Sequence, residues 1–123
     1  MARLTMSNTD PGWFSVRCLF RASSNKPCGP HDLEAGENAY EERITLWQAD
    51  SADHAIQLAE EYARLYETQI EVEYLGFAQA YWLADEVQHG SEVFSLIRRS
   101  ELEPTEYLNR FFDTGREYQD RGD

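Results

Sequence analysis

Between Tyr40 and Tyr66 the apolar residues change their period, and that change dictates a strand that runs almost directly into a helix. In YEERITLWQA, residues 40 to 49, apolar and polar side chains alternate, as they do along a strand with one buried face. From Ala52 onward, Ala55, Ile56, Ala59, Tyr62, Ala63 and Tyr66 recur at three- and four-residue spacings, which forms one stripe along a helix. Asp50 or Ser51 is placed to cap that helix. Its alanines let it lie close on a sheet, while Gln57, Glu60, Glu61, Arg64 and Glu67 make its wet side.

WFSVRCLFRA, residues 13 to 22, alternates in the same way. Phe14, Val16, Cys18, Phe20 and Ala22 take one side; Trp13, Ser15, Arg17, Leu19 and Arg21 take the other. In the strand at 40 to 49, Ile44 and Leu46 are assigned to the core side with Tyr40 and Glu42, leaving Glu41, Arg43, Thr45 and Trp47 on the reverse. QIEVEYLGFAQAYWLA, 69 to 84, starts as a third strand, and Gly76 suggests a bulge beyond which the faces are not fixed. SEVFSLIRRS, 91 to 100, reads as a fourth strand. Pro104 opens a short helix with Leu108, Phe111 and Phe112 on its expected buried side. The order is β-β-α-β-β-α. It implies an α+β domain, with a four-stranded, mainly antiparallel sheet carrying the long amphipathic helix on one face. The domain spans 13–112, between a flexible tail at 1–12 and a charged tail at 113–123; residues 23–38 are a long loop with Pro and Gly.

The chain of 123 residues carries 23 acids against 11 bases, a net charge of −12. Phosphate binding needs a basic footprint, so this balance argues against nucleic acid and against anionic membrane surfaces. It suits solubility and a basic protein or peptide partner. No apolar run approaches the ~20 residues of a membrane helix, and MARLTMSNTDPG has no apolar signal core. Cys18 and Cys28 do not make a disulfide framework. The expected location is the cytoplasm.

If the long helix covers the face with Phe14, Val16, Ile44 and Leu46, the reverse face shows Trp13, Arg17, Arg43 and Trp47 with Glu41. Mixed aromatic and arginine surfaces are characteristic of binding faces. A second copy of the chain or a basic protein or peptide is the expected partner, and burial under the chain's own loop or second helix is the plainer alternative. Chemistry finds weaker support. Cys28, His31 and Asp32 lie within five residues, but no second cluster completes a zinc site, so no metal or cofactor is expected. No phosphate loop, nucleophile elbow or H-E-x-x-H motif is present. Glu42, Glu92 and His31 are the candidates for acid–base work, which would make the chain a small enzyme tailoring a peptide. Glu42 is most simply an acid near a strand entrance, with Arg98 or Arg99 as a neutralising partner if it is buried.

WFSVRCLFR, YEERITLWQADSADHAIQLAEEYA and SEVFSLIRRS together resemble a bacterial family of domains of unknown function, number 4288 in its series. The likeness extends over roughly 13 to 112 and departs at the helix start, where His54 stands at a place often acidic. It implies a compact bacterial domain and no particular chemistry. Any functional motif of the family would map here to Arg17, Glu41, Glu42, Arg43 and Glu92.

Overall fold

Three strands and two helices make up the computed structural model, which describes residues 11–23, 34–112, 114–117, 119 and 122. Strand β1 runs Gly12–Ser23, β2 Asn38–Ala49 and β3 Glu73–Leu83; helix α1 runs Ala52–Ile70 and α2 Pro104–Phe111. The sheet is antiparallel in the order β2-β1-β3. Most of the expected tail at 1–12 and of the loop at 23–38, including Cys28, His31 and Asp32, lies outside the described residues, as does part of the tail at 113–123. Among the described residues no helix is long and apolar enough to cross a membrane.

The core sits between the sheet and α1. Phe14, Val16, Cys18 and Phe20 project from β1 onto Ala55, Ala59, Ala63 and Tyr66 of α1. Val16 is fully buried and Phe20 nearly so, and burying each such side chain stabilises the fold by about 1.5–3 kcal/mol. The alanine stripe lets α1 approach the sheet, and Tyr66 meets the edge of the Phe20 ring with centroids 4.9 Å apart. Ser51, in extended conformation, caps α1 by accepting a hydrogen bond from the His54 backbone N–H at 3.0 Å. The helix ends at Glu71, whose left-handed backbone (φ 57°) reverses the chain into β3.

Two expectations about the sheet are overturned. The first is the fourth strand. The sheet has three strands, and SEVFSLIRRS forms none of them. β1 is already paired on both sides, so a further strand could join only the outer edge of β2 or β3. Instead, after the turn at 85–90, the segment passes over the reverse face of the sheet. The Phe94 ring lies 5.2 Å from the Arg17 guanidinium and 5.9 Å from the Tyr81 ring. Phe94 is half-buried there, whereas Val93, Leu96 and Ile97 are exposed, Ile97 at 89%.

The second correction exchanges the two faces of β2. The register pairs Phe14 with Trp47, Val16 with Thr45, Cys18 with Arg43 and Phe20 with Glu41. Directly opposed residues share a face. Trp47, Thr45, Arg43 and Glu41 therefore lie on the α1 side, and Ile44 and Leu46 lie on the reverse with Arg17 and Leu19. Both faces of this strand carry large apolar side chains, so alternation alone does not choose between them. The choice falls to Ala49, buried at the turn into α1 on the same face as Trp47, and to the tyrosines of α1 that receive Arg43 and Glu41.

The expected bulge is present. Between Cys18 and Phe20 the β1–β3 register shifts, so that Cys18 pairs with Ala78 but Phe20 with Tyr74. Gly76 supplies the positive φ of 78° within the bulged segment. The short helix departs from expectation. No Cα of α2 lies within 8 Å of one in the sheet or α1, and Leu108, Phe111 and Phe112 are all exposed. The aromatic cluster of α2 packs only locally, with Arg98 stacked 4.6 Å from Phe111 and donating to the Tyr107 hydroxyl at 3.2 Å.

Candidate functional site

The site residues expected together on one face are divided between the two faces of the sheet. On the α1 side, β2 and the helix build a cluster of rings and charges. Arg43 donates to the Tyr62 hydroxyl at 3.1 Å and stacks 4.2 Å from the Tyr66 ring. The Tyr66 hydroxyl donates to Glu41 at 2.7 Å. Burial and then the Glu41 bond raise the Tyr66 ionisation to about 12. Trp47 packs edge-on to Tyr62 and satisfies its indole N–H on the Thr45 hydroxyl at 2.7 Å. These contacts occupy Glu41, Arg43 and Trp47 in holding β2 to α1. A parallel bond lies further along, where Tyr74 donates to Glu60 at 2.6 Å beside the thiol of Cys18. Burial pushes that thiol's pKa upward, which makes it a poor nucleophile.

On the reverse side, Arg17 is mostly buried at the middle of the central strand. It donates to Glu42 of β2 at 3.1 Å and to Gln79 of β3 at 2.9 Å, which ties all three strands together, with Phe94 above it. Its Nε has no partner. Arg17, rather than Arg98 or Arg99, is the partner of Glu42, and the Glu42 side chain is 60% exposed. At the rim of the sheet, Arg21 pairs with Glu73. Trp13 lies on this face opposite Leu83, half-buried.

The three acid–base candidates do not form a set. Glu42 is held by Arg17, and His31 lies outside the described residues. Glu92 instead lines an open polar cleft of about 180 Å³ with Tyr81, Asp85, Gln88, His89, Gly90 and Ser91. There it accepts the Tyr81 hydroxyl, which raises the ionisation of Tyr81. Among the described residues no cluster of His, Cys, Asp and Glu is arranged to hold a metal ion.

The feature that reading by alternation missed is the uncovered part of the reverse face. The segment carrying Phe94 lies over the β1 and β3 side of that face, where Ser15 is fully buried and Tyr81 half-buried. The β2 side stays open, with Tyr40 61%, Ile44 44% and Leu46 40% exposed. Beside this row runs the outer edge of β2, unpaired among the described residues. It pairs with β1 without a break from Asn38 to Ala49, so no bulge bends it and no proline interrupts it. The other outer strand, β3, is bent by its bulge at Gly76. Of the usual protections of a sheet edge, β2 lacks a bulge, a proline and short length, and carries only the charges of Glu41, Glu42 and Arg43. No pattern within β2 signals this, because both of its faces carry large apolar side chains.

A three-stranded antiparallel sheet with one long helix on a single face defines a small α+β domain. The chain belongs to the family described as a domain of unknown function (DUF4288), which it matches over residues 13–95. That match takes in β1, β2, α1, β3 and the Phe94 segment, and it stops short of α2. No curated protein and no solved structure matches the chain.

Proposed function

We propose that this chain is a non-catalytic protein-binding module, bacterial and cytoplasmic, which takes a polypeptide partner as an added strand on the outer edge of β2. The observation that carries this reading is the long, regular edge of β2 with Tyr40, Ile44 and Leu46 exposed beside it. A strand added there gains main-chain hydrogen bonds from the edge and side-chain contacts from the row. Arg17, Arg43, Trp47 and Glu41 then act behind the edge: Arg17 and Arg43 hold β2 in place, and Trp47 and Glu41 anchor it to α1. The free, buried thiol of Cys18 fits a reducing compartment.

The test is a photo-crosslinking amino acid at Leu46 in the full chain, expressed in cells. The reading expects adducts to a polypeptide from Leu46 and none from the same probe at Asn109 of α2. The absence of any Leu46 adduct would remove it. The rival reading, acid–base chemistry on a peptide, would be served by the cleft that brings Glu92 beside Asp85 and His89. It expects peptides to protect Glu92 and His89, rather than β2, from chemical labelling.

A further inference from the structure

We infer that the strand added to β2 is the β2 of a second copy of this chain, paired antiparallel about a two-fold axis near Ile44. This rests on the reading of β2 as a docking edge and names its occupant. Two-fold pairing of identical edges is a common way for small sheets to associate, because one patch serves both partners.

The pattern of charge along β2 supports self-pairing and selects the register. The strand reads NAYEERITLWQA from Asn38 to Ala49, with its charges confined to Glu41, Glu42 and Arg43. In an antiparallel pair, opposed residues share a face, so only registers that match parity keep both apolar rows on the same side. With the axis at Glu42, two Glu42 carboxylates would oppose each other; with the axis at Arg43, two guanidinium groups would. Like charges directly opposed in a ladder are destabilising. With the axis at Ile44, Glu42 faces Leu46, Tyr40 faces Gln48, Glu41 faces Trp47 and Arg43 faces Thr45. No like charges meet, and residues 39 to 49 of both copies overlap. Moving the axis on to Thr45 also avoids a clash but shortens the overlap to 41–49. The axis at Ile44 is therefore the longest register free of like-charge opposition. It joins the two sheets into one of six strands and sets Ile44 of each copy beside the other's Ile44, with Leu46 diagonal to it. The bulged edge of β3 offers no such run.

The charge of the whole chain gives the pairing a salt signature. Each copy carries −12, so two copies repel at long range, and screening by salt should tighten the dimer. A basic partner on the same edge would instead bind more weakly as salt rises.

The experiment is light scattering after size exclusion on the full chain, with the photo-probe at Leu46 used on the same purified protein. We expect twice the monomer mass, a self-adduct joining residues near 42 of one copy to Leu46 of the other, and an apparent Kd that falls severalfold between 50 and 500 mM salt. I44K, which sets like charges opposite each other at the axis, and L46E, which sets a carboxylate opposite Glu42, lie at exposed positions and should be monomeric with the circular dichroism of the parent. An I44C variant in a C28S background should form a symmetric disulfide under mild oxidation. A monomeric parent that still gives an adduct to another protein in cells overturns the second copy and leaves the docking edge standing. A dimer that survives both I44K and L46E overturns the placement at β2. The absence of any adduct, purified or in cells, overturns the inference and the reading beneath it.

Discussion

Replacing Glu41 by Gln probes the reassigned face of β2, because only a Glu41 on the α1 side can reach Tyr66. In the native chain, burial and the 2.7 Å bond to Glu41 raise the Tyr66 ionisation to about 12 from its ordinary 10. A rise of this size corresponds to a preference for the protonated form on the order of 2–3 kcal/mol. The folded pKa lies above the unfolded one, so this stability is fully present below pH 10. It is lost as pH rises through about 12. Glu41→Gln keeps a hydrogen-bond acceptor but removes the negative charge, and the Arg43 guanidinium 4.2 Å from the ring then favours the phenolate. Burial still raises the value, so Tyr66 should titrate between 10 and 12 and visibly below the parent. The assay is the ¹³Cζ shift of Tyr66 against pH. The chain has seven tyrosines, so the Tyr66 signal is assigned by its loss in Tyr66→Phe. Alkaline unfolding of the variant should depend less steeply on pH between 10 and 12. A Tyr66 titration unchanged by the substitution would mean that Glu41 does not face α1, and the assignment of both faces of β2 would fail with it.

The remaining predictions concern the core, the cap and the outlying helix. Phe20→Ala, at a ring 2% exposed and in contact with Tyr66 and Tyr74, should cost about 3–5 kcal/mol in urea unfolding. Ser51→Ala removes the cap bond to the His54 N–H and should cost about 1 kcal/mol by the same measurement. Truncation after Glu103 removes α2, which touches neither the sheet nor α1, and the exposed Arg116–Glu37 ion pair, and the melting temperature should move by no more than a degree or two.

The layered fold was legible where one period dominated. β1 and α1 each have one face that is apolar throughout, so alternation and the helical stripe fixed their orientation from the residues alone. Gly76 signalled its bulge because a strand interior has few other uses for glycine. β2 was legible as a strand but not in its parity. Ile44 and Leu46 lie on one face and Trp47 on the other, and the deciding contacts come from Tyr62 and Tyr66, which are distant in sequence. SEVFSLIRRS alternates like a strand, but alternation reports a half-covered extended chain, and hydrogen-bonded pairing depends on whether an edge is available. Leu108, Phe111 and Phe112 form an apolar side on α2 that finds no surface of the sheet or α1, which no local pattern reveals. The candidate edge was hidden for the same reason as the parity: with Ile44 and Leu46 assigned to the core, β2 had no exposed apolar row.

The most direct test of β2 as the edge that pairs with a second copy is hydrogen exchange of its backbone amides, residue by residue, over a range of protein concentrations. Every second amide of β2 bonds to β1, and the alternate ones point outward from the sheet. The account predicts that these alternate amides gain protection as concentration rises, while the outward amides of β3 do not. Alternate β2 amides that exchange at the same rate at every concentration, or protection that grows on β3 instead, would contradict it.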